Sequence, residues 1–150
     1  MHRIAIALAV LMTAGTAAAS EQDDAFAQVK QFIDGFNKGD AKSALATCAS
    51  PVSIVDEFPP YAWQGANACA DWAADFEANA KKNAITDSVV TLHKPRHVEV
   101  SGDRAYVVVP ADYAYKLKGK KASQKGSVMA AALKKGADGW RITGWSWATR

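Results

Sequence analysis

The sequence predicts an α+β domain in which three N-terminal helices pack in the concave face of a strongly curved, mainly antiparallel sheet, a cone-shaped α+β barrel. Three observations lead there. Apolar residues recur at helical spacing until about Asn83, and from Ile85 to the C-terminus they alternate with period two. Pro110 interrupts the longest alternating run, where a proline requires a bulge or a sharp bend, and such bending curls a sheet into a cone.

Phe26, Val29, Phe32, Ile33 and Phe36 make the apolar stripe of a first helix, with Asp23 and Asp24 suited to its start and Gly39 just past its end. Asp40 caps a short second helix through Ala44, Leu45 and Cys48, which Pro51 stops. Val52 to Phe58 then reads as a strand, Pro59-Pro60 as an extended turn, and Tyr61 to Gln64 as a partner strand ending at Gly65. Asn67 caps a third helix whose apolar face is Cys69, Trp72, Ala73, Phe76 and Ala80. The alternating segments are Ile85 to Leu92, Arg96 to Val100, Arg104 to Lys116, Ser123 to Leu133 and Trp140 to Trp147, and they read as a meander. Ser101-Gly102-Asp103 and Asp138-Gly139 supply turn chemistry between them.

Met1-His2-Arg3, an apolar run from Ile4 to Met12 and the small residues Ala17-Ala18-Ala19 have the three parts of a secretory leader, with cleavage expected after Ala19. The apolar run falls short of the roughly 20 residues a membrane span needs. The expected organisation is a leader over residues 1–19 and one domain over 20–150, exported to the periplasm or secreted. Without Arg3, the 18 Lys and Arg fall to 17 against 15 acidic side chains, a near balance that argues against nucleic acid as a partner. Lys116, Lys118, Lys120, Lys121 and Lys125 cluster around Gly119 and read as a solvated hairpin tip. Cys48 and Cys69 are the only cysteines, and an oxidising compartment pairs them in a disulfide. His93 and His97 are four residues apart, but Pro95 between them spoils a helical i, i+4 pairing, so no metal and no cofactor is expected.

The chain's best chemical clue is Asp56. Strand alternation puts it on the side of Val52, Ile54 and Phe58, and Glu57 on the opposite side with Ser53 and Val55. A carboxylate on an apolar face costs several kcal/mol unless paired, hydrogen-bonded or protonated. Asp56 is therefore either a structural anchor, bonded by the Pro59-Pro60-Tyr61 turn or by Trp63, or a poised acid/base.

The order of elements, with Phe36-Asn37-Lys38-Gly39-Asp40, Ser53-Ile54-Val55-Asp56, Trp63-Gln64-Gly65 and the last strand Trp140 to Trp147, resembles the nuclear-transport-factor-2-like superfamily, also called ketosteroid-isomerase-like or SnoaL-like. The resemblance spans nearly all of residues 20–150. It implies a general base at Asp56, the matching position of the ketosteroid isomerases, and a homodimer through the outer sheet face. It also exposes a departure: the matching position for their helix-one tyrosine holds Phe32, and no carboxyl group occurs from Ser127 to Met129, where their second oxyanion donor falls. Losing one such donor costs about a hundredfold or more, which argues against steroid isomerisation by that mechanism.

The expected pocket residues are Phe32, Phe36, Tyr61, Trp63, Phe76, Asp112, Tyr113 and Trp145, around Asp56. The aromatics among them serve equally well as core, and the direction of Asp112 is open. Three functions fit: an exported binding domain for a small apolar or amphipathic ligand, an isomerase, cyclase or dehydratase using Asp56 as base, and a dimeric interaction module without catalysis.

Overall fold

The structure is a computed structural model that describes residues 14–150, so the basic start and apolar run of the expected leader lie outside the described residues. Helix α1 spans Ala14–Lys38 and runs through Ala19-Ser20, the expected cleavage point. It begins ahead of Asp23 because the alanine-rich Ala14–Ala19 stretch has high helix propensity. Ala25, Val29, Phe32 and Ile33 bury its apolar stripe, and full burial of a side chain the size of Phe32 contributes on the order of 2 kcal/mol. Gly39, at φ 66°, ends the helix in a left-handed turn. Asp40 then accepts the Ser43 amide at 3.0 Å and starts helix α2, Ala41–Leu45. The two helices touch so closely that a Cβ on Gly35 would lie 2.7 Å from the Ala44 nitrogen.

Helix α2 ends three residues before Cys48, and strand β1 takes over Cys48–Val55. Pro51 therefore lies inside a strand and does not stop a helix. It falls where the pairing of β1 shifts register between Cys48 and Ser53, so its missing N–H interrupts no regular ladder. Strand β2, Ala62–Gly65, returns antiparallel to β1. Helix α3, Ala68–Asn83, follows Asn67 and ends on Ala84 in the left-handed region. Cys48 and Cys69 form a disulfide, with Cα atoms 6.6 Å apart, that ties the start of β1 to the start of α3.

Strands β3 (Ile85–Leu92), β4 (His97–Ser101), β5 (Arg104–Leu117), β6 (Lys120–Gly136) and β7 (Gly139–Ala148) match the period-two segments closely. Their connectivity departs from a meander. The sheet order is β2-β1-β7-β6-β5-β3, and β4 also pairs with β5. Strand β4 takes the first half of β5, from Arg104 to Val108, and β3 the second half, from Ala111 to Leu117. Pro110 sits at the handover: its carbonyl accepts the His93 amide at 2.9 Å, on the side where β3 has ended and β4 has not begun. The register of β5 against β6 shifts just beyond, between Ala111 and Tyr113, which bends the long hairpin. Because β1 runs parallel to β7, the sheet is mixed.

The seven strands curl without closing, and the helices occupy the concave side. The inward face of β5 to β7, including Val107, Val109, Met129, Ala131 and Ile142, packs against the α1 stripe. No helix among the described residues is long and apolar enough to cross a membrane.

Two stability predictions follow from this packing. Gly35→Ala, which raises helix propensity by about 1 kcal/mol, will instead lower the urea midpoint, because the new methyl meets Ala44 backbone. Replacing Cys48 and Cys69 together by Ala will cost about 3 kcal/mol in the same assay, the scale for a loop with a sequence separation of 21.

Candidate functional site

Between the helices and the concave sheet lies a cavity of ≈ 130 Å³. Helix α1 supplies Phe32, Ile33 and Phe36, and α3 supplies Trp72, Phe76 and Asn79. These residues share one face of each helix, Phe36 lying four and three residues beyond Phe32 and Ile33, and Trp72, Phe76 and Asn79 following at steps of four and three. The sheet wall is Val90, Tyr113, Met129, Trp145 and Trp147, while Ile85, Tyr115, Gln124 and Glu57 reach the rim.

Asp56, the first residue after β1, brings the carboxyl group into this apolar wall. Its Oδ2 accepts the indole N–H of Trp72 at 2.8 Å, and its Oδ1 accepts the Glu57 amide at 2.7 Å. Its own amide donates to the Tyr61 carbonyl at 3.1 Å, which holds the turn. Burial pushes the Asp56 carboxyl above the ordinary aspartate range; the two donated bonds favour the charged form but do not offset it, and the Glu57 charge adds to the rise. The site therefore combines the features of both readings, a doubly bonded carboxyl that is nonetheless inclined to hold a proton.

Strand alternation ends with β1, so Glu57 turns toward the rim and not to the outer face expected of it. Its carboxylate accepts hydrogen bonds from Gln124 and Thr149, linking the ends of β1, β6 and β7. Across the cavity, Tyr113 stacks on Tyr115 with ring centroids 4.7 Å apart and shares a 2.8 Å hydrogen bond with Ser88. Burial raises the Tyr113 phenol pKa, so the group stays a neutral donor or acceptor at physiological pH. Asn37 clamps α1 to β3 by accepting the Val90 amide at 2.7 Å and donating to its carbonyl at 2.8 Å.

Phe32, Phe36, Phe76, Tyr113 and Trp145 line the cavity with Asp56, and three other expected residues do not. Tyr61 sits in the turn at φ 73° with its side chain 56% exposed. Trp63 is buried behind Phe58, ring centroids 5.0 Å apart, and its indole N–H donates to Asp75, not to Asp56. Asp112 faces outward, where the Gly126 amide at 2.9 Å, and then His93 at 3.2 Å, hold its carboxyl below the usual range. His97 meets Glu99 at 3.1 Å, so the two histidines have separate partners.

The residue that sequence reasoning missed is Trp72, read as core. It was legible in one respect: a buried indole seeks an acceptor for its N–H, and Asp56 was the nearest apolar-face carboxylate in need of a donor. Phe32 touches Trp72 and Trp145 at 5.6 and 5.5 Å between ring centroids and offers no hydroxyl to a ligand. Asp56 in the wall and Glu57 at the rim are the carboxyl groups that line the cavity, and none comes from Ser127 to Met129.

The folded state binds the Asp56 proton more tightly than the unfolded chain does. Its contribution is therefore fully present below the unfolded value, about 3.9, and declines as pH rises to the elevated folded value. Urea denaturation will show the parent losing stability relative to Asp56→Asn across that window; a flat difference would refute the shift. Trp72→Phe removes the donor to the carboxylate and will raise the Asp56 pKa further, read by carboxyl-carbon NMR titration.

No protein-family model matches the chain, and no curated protein does. Solved structures match it closely in backbone course. An NTF2-like protein with a cystatin-like fold from Novosphingobium aromaticivorans superposes with a TM-score of 0.73 at 14% identity, covering 91% of this chain and 86% of that one. An NTF2-like superfamily protein from Salmonella enterica gives 0.72 at 13% identity, over 87% and 92% of the two chains. A ketosteroid isomerase-like protein from Erwinia carotovora atroseptica gives 0.67 at 18% identity, over 86% and 95%. With its three helices held in a curled, unclosed sheet, this chain has the nuclear-transport-factor-2-like fold.

Proposed function

We propose that the chain is an exported small-molecule-binding domain whose apolar pocket takes one ring-sized group beside Asp56. The observation that carries this reading is the aromatic-walled cavity of ≈ 130 Å³ with a single desolvated carboxyl in its wall. An apolar cavity of about 150 Å³ accommodates benzene, so the enclosed part suits a single ring or a short branched chain and not a four-ring steroid. The Cys48–Cys69 disulfide and the leader-like residues 1–19 support the exported setting. A homodimer through the sheet is part of the proposal: Val108, Pro110, Val128, Ala130 and Ala132 alternate with the core residues of β5 and β6, giving the outer face an uncharged strip bounded by Arg104 and Lys134 at one end and Asp112 at the other.

One observation favours a second reading, proton-transfer catalysis of the isomerase, cyclase or dehydratase type. Burial raises the Asp56 pKa, which is the direction a carboxyl acting as general acid/base requires. The missing oxyanion pair sets that chemistry apart from ketosteroid isomerisation.

Native mass spectrometry of the gently purified protein, followed by denaturation, tests the binding reading through a co-purified small molecule. Indole or phenol will also quench tryptophan fluorescence saturably at one site per chain, because Trp72, Trp145 and Trp147 line the cavity. Ile85→Trp, which fills the rim, will weaken that binding by about tenfold or more. Absence of both a bound molecule and saturable quenching would reject the pocket as a binding site.

A further inference from the structure

The β5–β6 hairpin extends past the bend at Ala111–Tyr113 and ends in the two-residue turn Lys118-Gly119. Lys118 donates its amide to the Ala84 carbonyl at 2.8 Å, which seats the tip against the end of α3, where Lys81 and Lys82 lie in the last turn. The same tip borders the pocket rim. Tyr115 lines the cavity and pairs with Ala122; one step outward on the same face, Leu117 pairs with Lys120 on one side and with Ile85, another lining residue, on the other. Ile85, Leu117 and Lys120 therefore form a row across the cavity side of the rim. Leu117 is 40% exposed, an apolar step between the pocket and the lysine.

The charges on this end are unbalanced. Lys116 is paired with Asp87 at 2.8 Å on the opposite sheet face, which it shares with Lys121. Among the described residues, Lys81, Lys82, Lys118, Lys120 and Lys121 meet no carboxylate within salt-bridge distance. Glu57, the rim acid, lies instead at the β1 end of the mouth, engaged by Gln124 and Thr149. An entrance with one basic side attracts anions and raises their rate of encounter.

We infer that the ligand is a small amphipathic carboxylate, its apolar body in the cavity and its acid group outside, beside Lys120. The inference deepens the binding reading and rests on it. Two strand steps carry the chain from Tyr115 to Leu117, about 7 Å, so the acid group stands off from the ring by a short hydrocarbon spacer of a few carbons. Leu117 and Ile85 cover that spacer. Lys120, in register with Leu117 on this face, supplies a positive charge there, and the other tip lysines add to the field.

Fluorescence titration with phenylbutyrate and its neutral counterpart phenylbutanol separates the inference from the reading beneath it. Phenylbutyrate will bind about tenfold more tightly than phenylbutanol at low salt. The advantage will nearly vanish in Lys120→Glu and near 1 M NaCl, where screening acts over about 3 Å. It will persist in Lys121→Glu, which makes the same charge change on the opposite face. Equal affinities for acid and alcohol would overturn the inference and leave the pocket reading standing, whereas no binding of either would overturn both. Equal losses in the two lysine variants would reduce the effect to net charge and overturn it. Undiminished phenylbutyrate binding in Ile85→Trp would overturn it too, by placing the anion outside the cavity.

Discussion

The 2.8 Å hydrogen bond from Trp72 to Asp56 joins α3 to the end of β1, and the pocket depends on it. An ionised carboxyl in an apolar wall is costly, and the indole donor lowers that cost without introducing a second charge. The Glu57 amide does the same from the chain itself. Together they fix the side chain's direction while leaving its proton affinity governed by burial. A salt bridge at this position would have given the opposite balance, a permanently ionised anchor.

Around that bond, wall and core are one material. Phe32, Trp72 and Trp145 contact one another with ring centroids 5.0 to 5.6 Å apart, and Phe36, Phe58 and Phe76 extend the cluster. Aromatic pairs of this kind hold their relative tilt, so the cavity keeps its shape because the rings that bound it also bear the packing of α1 and α3 on the sheet. A substitution at Trp72 therefore acts on stability and on Asp56 at once, whereas one at Tyr115 or Gln124 touches chiefly the rim.

The late strands were readable because alternation over long runs has few competing interpretations, and Pro110 marked the bend because a proline cannot complete a ladder. The second helix and β1 were harder. Pro51 carries the same local signal in a helix stop as in an irregular strand, and only the pairing of Cys48 and Ser53 with β7 on either side of it distinguishes them. That pairing is between residues far apart in sequence, as is the division of β5 between β3 and β4, and neither leaves a local pattern. Asp56 was found because period two held to the end of β1; Glu57 was misplaced because the period stopped there. Trp63 and Trp72 illustrate the remaining ambiguity: both are buried indoles with carboxylate partners, and only the orientation of α3 decides that Trp72 meets Asp56 while Trp63 meets Asp75.

The bend in the β5–β6 hairpin divides one continuous pair of strands into two regimes of tolerance to substitution. Below it, Val107, Val109, Met129 and Ala131 are fully packed, and changes there cost kilocalories. Beyond it, exposed positions such as Leu117, Lys120 and Lys121 tolerate most substitutions at little cost in stability. Substitutions at the tip can therefore change the chemistry of the entrance while the aromatic chamber behind it keeps its packing.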